Sequence, residues 1–282
     1  MESLPQLQSR LASLQELRSL IRALRALAAS HAQEAHKALA GIRNYAKVIE
    51  DSIAHGASLL AARTAPFDGP EDEVAPGALI AVCSDHGFVG AFNERLLDQV
   101  ETELRMGHQL LVVGRRGAMI AAERGLDVHR SFPMAAHVGG ILLLGRSIAA
   151  ALASASTVDT VFAQHQKLGA CEVRARRILP LDPALLEHST TSGPPLHHIA
   201  AETFLQRLAD EYLFSEVTRI LMESLASENG ARLRIMESAD HNIADKLDET
   251  RKTALWQRQD AITSELLDVV IGSEAILGES GH

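Results

Sequence analysis

Apolar residues recur every seven positions along the first part of the chain. Leu7, Leu14, Ile21, Ala28, Ala35, Ile42 and Ile49 form one column. A second runs through Leu4, Leu11, Arg18, Arg25, Ala32, Leu39, Ala46, Ile53 and Leu60, apolar apart from the two arginines. A seam of this kind predicts a helix that buries its stripe against another helix. About 60 residues of helix would run roughly 90 Å, which exceeds the width of a compact domain. The C-terminal segment offers the partner. Leu205, Leu208, Tyr212, Met222, Ala226, Leu233, Met236, Ile243, Leu247 and Ala254 recur at three- and four-residue steps, with Ser215, Arg219, Asn229, Asp240 and Thr250 also on the seam. A polar seam position costs stability but can fix register. The alternative, that both terminal helices simply lie on a central domain, is disfavoured by their length.

Proline placement agrees with long helices. The prolines stand at 5, 66, 70, 76, 133, 180, 183, 194 and 195, leaving 6–65 and everything after 195 free of them. An interior proline costs a helix about 3 kcal/mol, so the gaps permit unbroken helices.

Between the two helices the pattern changes to short apolar runs. "ALIAVCS" (78–84) and "HQLLVVG" (108–114) read as buried strands, and "GLDVHRS" (125–131), "TVDTVFAQHQ" (157–166) and "CEVRARRIL" (171–179) as further strands. Helical stretches intervene near 91–106, 115–124 and 138–155. Alternation of strand and helix predicts a mostly parallel sheet covered by helices. The predicted architecture is an antiparallel two-helix coiled coil built from the chain ends, with a central Rossmann-like α/β domain. Its divisions are an N-terminal coiled-coil helix at 1–65, the α/β domain at 76–180 and a C-terminal coiled-coil helix at 198–282. Residues 180–197 read as a polar, proline-rich loop.

Composition removes several classes of function. The chain has 282 residues and a formal net charge of -9, unlike the basic surface of a nucleic-acid binder. Two cysteines, Cys83 and Cys171, form neither a disulfide framework nor a metal spacing and read as buried thiols. The N-terminal apolar residues are spaced along a helix, which is not the pattern of a secretory signal. The stretch 134–155 is strongly apolar, but His137 and Arg146 interrupt it, so a buried helix is expected and not a membrane span.

Candidate chemistry centres on "SDHGFVGAFN" (84–93), where a strand hands over to a helix. Gly87 and Gly90 are spaced G-x-x-G. A dinucleotide fingerprint needs G-x-G-x-x-G, and a Walker loop needs a lysine and a hydroxyl after its last glycine. Neither occurs, so turn glycines are the simpler reading. Ser84, Asp85 and His86 are consecutive and cannot align as a triad. "VGRRGA" (113–118) could form a small anion nest or an ordinary turn. His197 and His198 are adjacent, poorly placed to share a metal. No catalytic residue, cofactor or metal ligand is expected.

Three blocks resemble one known family, the gamma subunit of F-type ATP synthases. "SRLASLQELRSLIRALRALAAS" (9–30) is similar to the family's N-terminal helix. "SDHGFVGAFN" resembles its S-D-R-G-L-C-G-x-x-N loop. "LASENGARLRIMESADHN" (225–242) and "RQDAITSELLDVVIGSEA" (258–275) resemble its C-terminal helix, the most specific match. Glu16-Leu17, Ser19-Leu20-Ile21, His86, Val89, Asp240-His241 and Ser273 depart from the family's pattern. The departures point to a divergent branch, such as the alternate, sodium-linked (N-ATPase-like) type. The resemblance implies a non-catalytic rotor, the central stalk that couples ion transport to ATP synthesis or hydrolysis. The implied partners are a hexamer of alpha and beta subunits, an epsilon subunit and the membrane c-ring. The implied place is peripheral, on the cytoplasmic face of a bacterial inner membrane. By motif position, Arg258, Gln259, Ile262, Thr263 and Glu265 would face the hexamer's upper part. Asp85, His86, Gly87, Gly90 and Asn93 would face its lower rim or epsilon. Arg18, Arg22 and Arg25 are expected to pair with acidic residues in 255–282. The rival readings are an α/β nucleotide-binding enzyme with helical extensions and an unrelated coiled-coil adaptor.

Overall fold

The computed structural model describes residues 3–61, 76–165, 171–181 and 200–279. Most of the loop expected at 180–197, with His197 and His198, lies outside them. Helix α1 spans Leu4–Ala61, 58 residues, and helix α5 spans Ala201–Glu279, 79 residues. Pro5 sits in the first turn of α1, where a missing N–H costs nothing, and no proline follows inside either helix. The apolar members of both α1 heptad columns point inward as predicted, the Leu60 side chain lying outside those described. Leu7, Ile21, Ala28, Ala35, Leu39, Ala46, Ile49 and Ile53 are buried, while Leu4, Leu11, Leu14 and Ile42 are half-buried.

The chain forms two compact units, Leu27–Ile235 and the pair Met1–Ala26 with Met236–His282. The larger unit holds a five-stranded sheet. Its strands are β1 (Ala78–Val82), β2 (Gln109–Val113), β3 (Val128–Phe132), β4 (Val158–His165) and β5 (Cys171–Leu179), in the order β3-β2-β1-β4-β5. The first four run parallel, and β5 pairs antiparallel with β4 at one edge. Between them come α2 (Phe92–Glu103), α3 (Arg115–Glu123) and α4 (Val138–Ala151).

Strand alternation sends successive side chains to opposite faces, and each face has its own core. Leu79, Ala81 and Cys83 meet Phe92, Leu96 and Leu97 of α2 and Ala121 of α3. Ile80 and Val82 meet Ile141 and Ile148 of α4, Leu39 and Ile53 of α1, and Leu213, Val217 and Leu221 of α5. The unit is thus a three-layer α/β body, with the long helices on one side of the sheet. In this unit α1 and α5 run antiparallel: the Tyr45 hydroxyl donates to Glu211, and Arg43 Nη2 donates to Glu223 at 2.8 Å.

The smaller unit consists of the two helix segments. Arg18 Nε lies 2.8 Å from Asp240 Oδ1, and Leu4, Gln8 and Leu11 line a groove with Arg251, Ala254, Leu255 and Arg258. Low numbers on α1 therefore meet high numbers on α5, the antiparallel order.

Three expectations change. Arg18, Arg22 and Arg25 do not pair with the acidic residues after 255; all three reach Asp240, at 2.8, 3.2 and 3.7 Å. The reason is register. Leu4 already lies level with residues near 254–258, so α5 beyond that point has no α1 residue opposite it. Helix α4 is not buried all round: Leu142 and Leu143 are exposed, and Ile141, Gly145 and Ile148 form its covered face. Cys171 is half-buried at the sheet edge, and only Cys83 is fully buried. Among the described residues, no helix is long and apolar enough to cross a membrane.

Candidate functional site

The loop after β1 is held by its own polar groups. Asn93, at the start of α2, is buried. Its Oδ1 accepts the Ser84 N–H at 2.9 Å, and its Nδ2 donates to Ser84 Oγ at 2.8 Å. Ser84 Oγ in turn donates to the His86 carbonyl at 2.9 Å, which closes the turn. The chain must also pass close to Gly114. A Cβ there would stand 2.5 Å from the Cys83 and Ser84 carbonyl oxygens, and its φ is +100°. Only glycine fits both constraints.

Asp85 fixes the other side of the loop. Its Oδ1 accepts the Arg115 N–H at 3.0 Å and the Met134 N–H at 3.2 Å, and its Oδ2 receives Arg115 Nη2 at 2.5 Å. Partial burial pushes this carboxyl up, but the hydrogen bonds from Arg115 and Met134 outweigh it, so its pKa lies below the ordinary carboxylate value. Arg115 opens α3, so the carboxylate also sits at the positive end of a helix. In the stretch 113–118, read as a small anion nest or an ordinary turn, the Arg115 N–H goes to the chain's own Asp85. His86 Nε2 lies 3.7 Å from Asp85 Oδ2. Ser84, Asp85 and His86 form no triad, because the serine hydroxyl is engaged with a backbone carbonyl.

These restraints hold Phe88 outward. It has φ +63°, the only positive value among the described non-glycine residues, and is 66% exposed. Gly90 follows at φ +62°. His86 and Gly87 are exposed, and Arg232 Nε reaches the Gly87 carbonyl at 3.4 Å. Arg232 also pairs with buried Glu228 at 2.6 Å; burial raises the pKa of that carboxyl, and the Arg232 charge opposes the shift. Sequence reasoning singled out Asp85 and Asn93 for partner contact, yet their side chains are turned inward and engaged. Phe88, a large apolar residue between two turn glycines, was not among the residues singled out.

The second candidate surface lies on α5. Arg258, Gln259, Ile262, Thr263 and Glu265 are all exposed, as is every residue from Arg258 to Ile271. Ile262, Leu266, Leu267, Val269, Val270 and Ile271 expose at least half of their surface. These side chains make a contiguous solvated apolar patch on one helix, unlike the singly scattered apolar residues of an ordinary surface. Thr263 Oγ1 donates to the Gln259 carbonyl of its own helix at 2.9 Å.

The two surfaces belong to different units, the loop to Leu27–Ile235 and the helix stretch to the pair Met1–Ala26 with Met236–His282. What they define is a scaffold subunit, a helix pair and an α/β body that present side chains to other proteins. Comparison with known proteins gives the family. The ATP synthase family model (ATP-synt) matches residues 3–276. The ATP synthase gamma chain of Frankia casuarinae is 30% identical over 95% of this chain and 95% of its own. That of Moorella thermoacetica is 25% identical over 96% of this chain and 98% of its own. The rotor of the Euglena gracilis mitochondrial ATP synthase, in rotational state 1, shares the fold: a chain in it aligns with a TM-score of 0.62 over 92% of this chain and 98% of its own, at 12% identity. The chain belongs to the ATP synthase gamma chain family.

Proposed function

We propose that this chain is the central-stalk rotor of an F-type ATP synthase and has no catalytic site of its own. The α1–α5 pair turns within a hexamer of alternating alpha and beta subunits, whose sites make or hydrolyse ATP. Each rotor angle offers those subunits different contacts, and a difference in contact is what shifts a conformational equilibrium. The body carries the epsilon subunit and stands on the membrane c-ring, so the chain is peripheral to the membrane, on the cytoplasmic face of a bacterial inner membrane.

The observation that carries this reading is the solvated apolar stretch from Ile262 to Ile271. Its collar is an apolar ring of the hexamer, gripped loosely enough to turn. Arg258, Gln259 and Glu265 supply hydrogen bonds and charge at the entrance to that ring, and Ile262 and Thr263 begin the part inside it. His86, Gly87, Phe88 and Gly90 meet the hexamer's lower rim or the epsilon subunit, while Asp85 and Asn93 hold that loop in shape. The nucleotide-enzyme alternative is weakened by Asp85, which occupies the place at the α3 N-terminus where a phosphate would sit.

The test is reconstitution with the alpha, beta and epsilon subunits and the membrane sector in sealed vesicles. ATP-driven ion uptake is the expected result. Replacing Ile262 and Leu266 by aspartate should abolish it while leaving the helix content of the free chain unchanged. Failure of the unaltered chain to enter a complex with alpha and beta would overturn the assignment.

A further inference from the structure

Six charged side chains in the larger unit form a circuit of five ion pairs that begins and ends on α1. Arg43 of α1 donates to Glu223 Oε1 of α5 at 2.8 Å. Glu223 Oε1 lies 3.8 Å from Arg219 Nη1, one turn away. Arg219 Nη2 meets Glu216 Oε2 at 2.9 Å. Glu216 Oε2 also receives Arg176 Nη1 of β5, at 3.0 Å. Arg176 Nη2 reaches Glu50 Oε1 at 3.9 Å, and Glu50 is back on α1, seven residues from Arg43. Signs alternate throughout, three arginines against three glutamates. The circuit leaves α1, crosses α5, touches the sheet edge and returns to α1.

Its centre is buried. The Glu216 and Glu223 side chains are 1% exposed and that of Arg219 is 11% exposed. Among the described residues Glu223 Oε2 is buried without a hydrogen-bond partner, and the carboxylate is held through Oε1. Burial depresses the Arg219 pKa, but the hydrogen bond and charge of Glu216 outweigh that effect and raise it. Glu50 is raised by burial and by the nearby Glu216 charge. Charges are not placed in a core for stability. Well-packed apolar residues of similar volume do as well or better, whereas directional pairs can fix one arrangement among several. Apolar contacts between two long helices are nearly indifferent to a small rotation or slide. A bond geometry spanning three elements is not.

We propose that Arg43, Glu50, Arg176, Glu216, Arg219 and Glu223 are positioning residues that lock both long helices and β5 in one torsional register, so that twist applied to the body reaches the helix pair without slip. This rests on the rotor reading above. The apolar seam sets stability and the charge circuit sets angle, so the two properties should separate.

The experiment uses the assembled complex in vesicles and measures ions moved per ATP hydrolysed, beside thermal melting of the free chain. Arg43→Gln with Arg176→Gln opens the circuit on both sides of α5 and leaves the buried acids paired to Arg219. The expected result is melting close to that of the parent chain, retained hydrolysis and a several-fold lower ion-to-ATP ratio. A second variant, Glu216→Met with Arg219→Leu and Glu223→Met, removes the buried charges together and should show the same loss. Arg219→Lys keeps the charge without the two-pronged geometry and should fall between. An unchanged ratio in the double variant overturns the inference, and so does a ratio that falls only in proportion to lost melting temperature. If the parent chain itself moves no ions, the rotor reading has failed, and that failure is distinct from failure of the lock.

Discussion

Arg18 Nε and Asp240 Oδ1 meet at 2.8 Å between α1 and α5, and the same carboxylate lies 3.2 Å from Arg22 Nε and 3.7 Å from an Arg25 guanidinium nitrogen. One acid thus answers three bases. The hydrogen bond from Arg18, with the Arg22 charge, holds the Asp240 carboxyl below its ordinary pKa. A depressed pKa contributes stability that is complete above the unfolded value, about 3.9 for aspartate, and is lost as pH falls through the folded value. Melting of the parent chain should therefore fall toward that of Asp240→Asn only below about pH 4. A constant gap between the two chains down to pH 2 would count against this pairing.

Asn93→Ala removes the acceptor of the buried Ser84 N–H. Leaving that donor unsatisfied should cost about 1–3 kcal/mol in urea unfolding. Asn93→Asp keeps the acceptor but not the donor to Ser84 Oγ, and a smaller loss is expected.

Gly114→Ala sets a methyl group against two carbonyl oxygens 2.5 Å away and demands φ +100° of an L-residue. A loss of at least about 1–3 kcal/mol is expected from the backbone strain alone. Near-normal unfolding would show that the strand-to-helix turn can relax, and would remove the reason given for glycine here.

Phe88→Gly should raise stability modestly, by up to about 1 kcal/mol, because it relieves a left-handed backbone and uncovers no core. The same change should weaken assembly with the partner subunits about tenfold if the ring is an anchor. Chain stability by melting and subunit affinity by titration are expected to move in opposite directions.

Much of this structure is legible in the sequence. The α1 columns from Leu7 to Ile49 predicted the buried stripe because each side of that helix has one environment. β5 is read with its observed ends, Cys171 and Leu179. The α5 seam is harder, because every residue from Leu221 to Ala231 is buried and no stripe can appear where all sides are covered. Its polar members have local explanations. Ser215, Asn229 and Thr250 donate to carbonyls of their own helix, at 2.9, 2.9 and 2.7 Å, and Arg219 and Asp240 are the nodes of charge clusters. The charge circuit was not legible. Arg43 and Glu50 look like solvated positions until Glu223 and Arg176, more than a hundred residues away, arrive beside them. In the β1 loop, residue types gave the location but not the roles: the inward turn of Asp85 depends on amides from Arg115 and Met134.

The mismatch in length between α1 and α5 has a practical consequence. Beyond the start of α1, α5 exposes a run of isoleucine, leucine and valine from Ile262 to Ile271. Made without its companions, the chain should be a sticky molecule that self-associates end to end. In the cell, that would tie its safe production to the supply of the subunits that sheathe it.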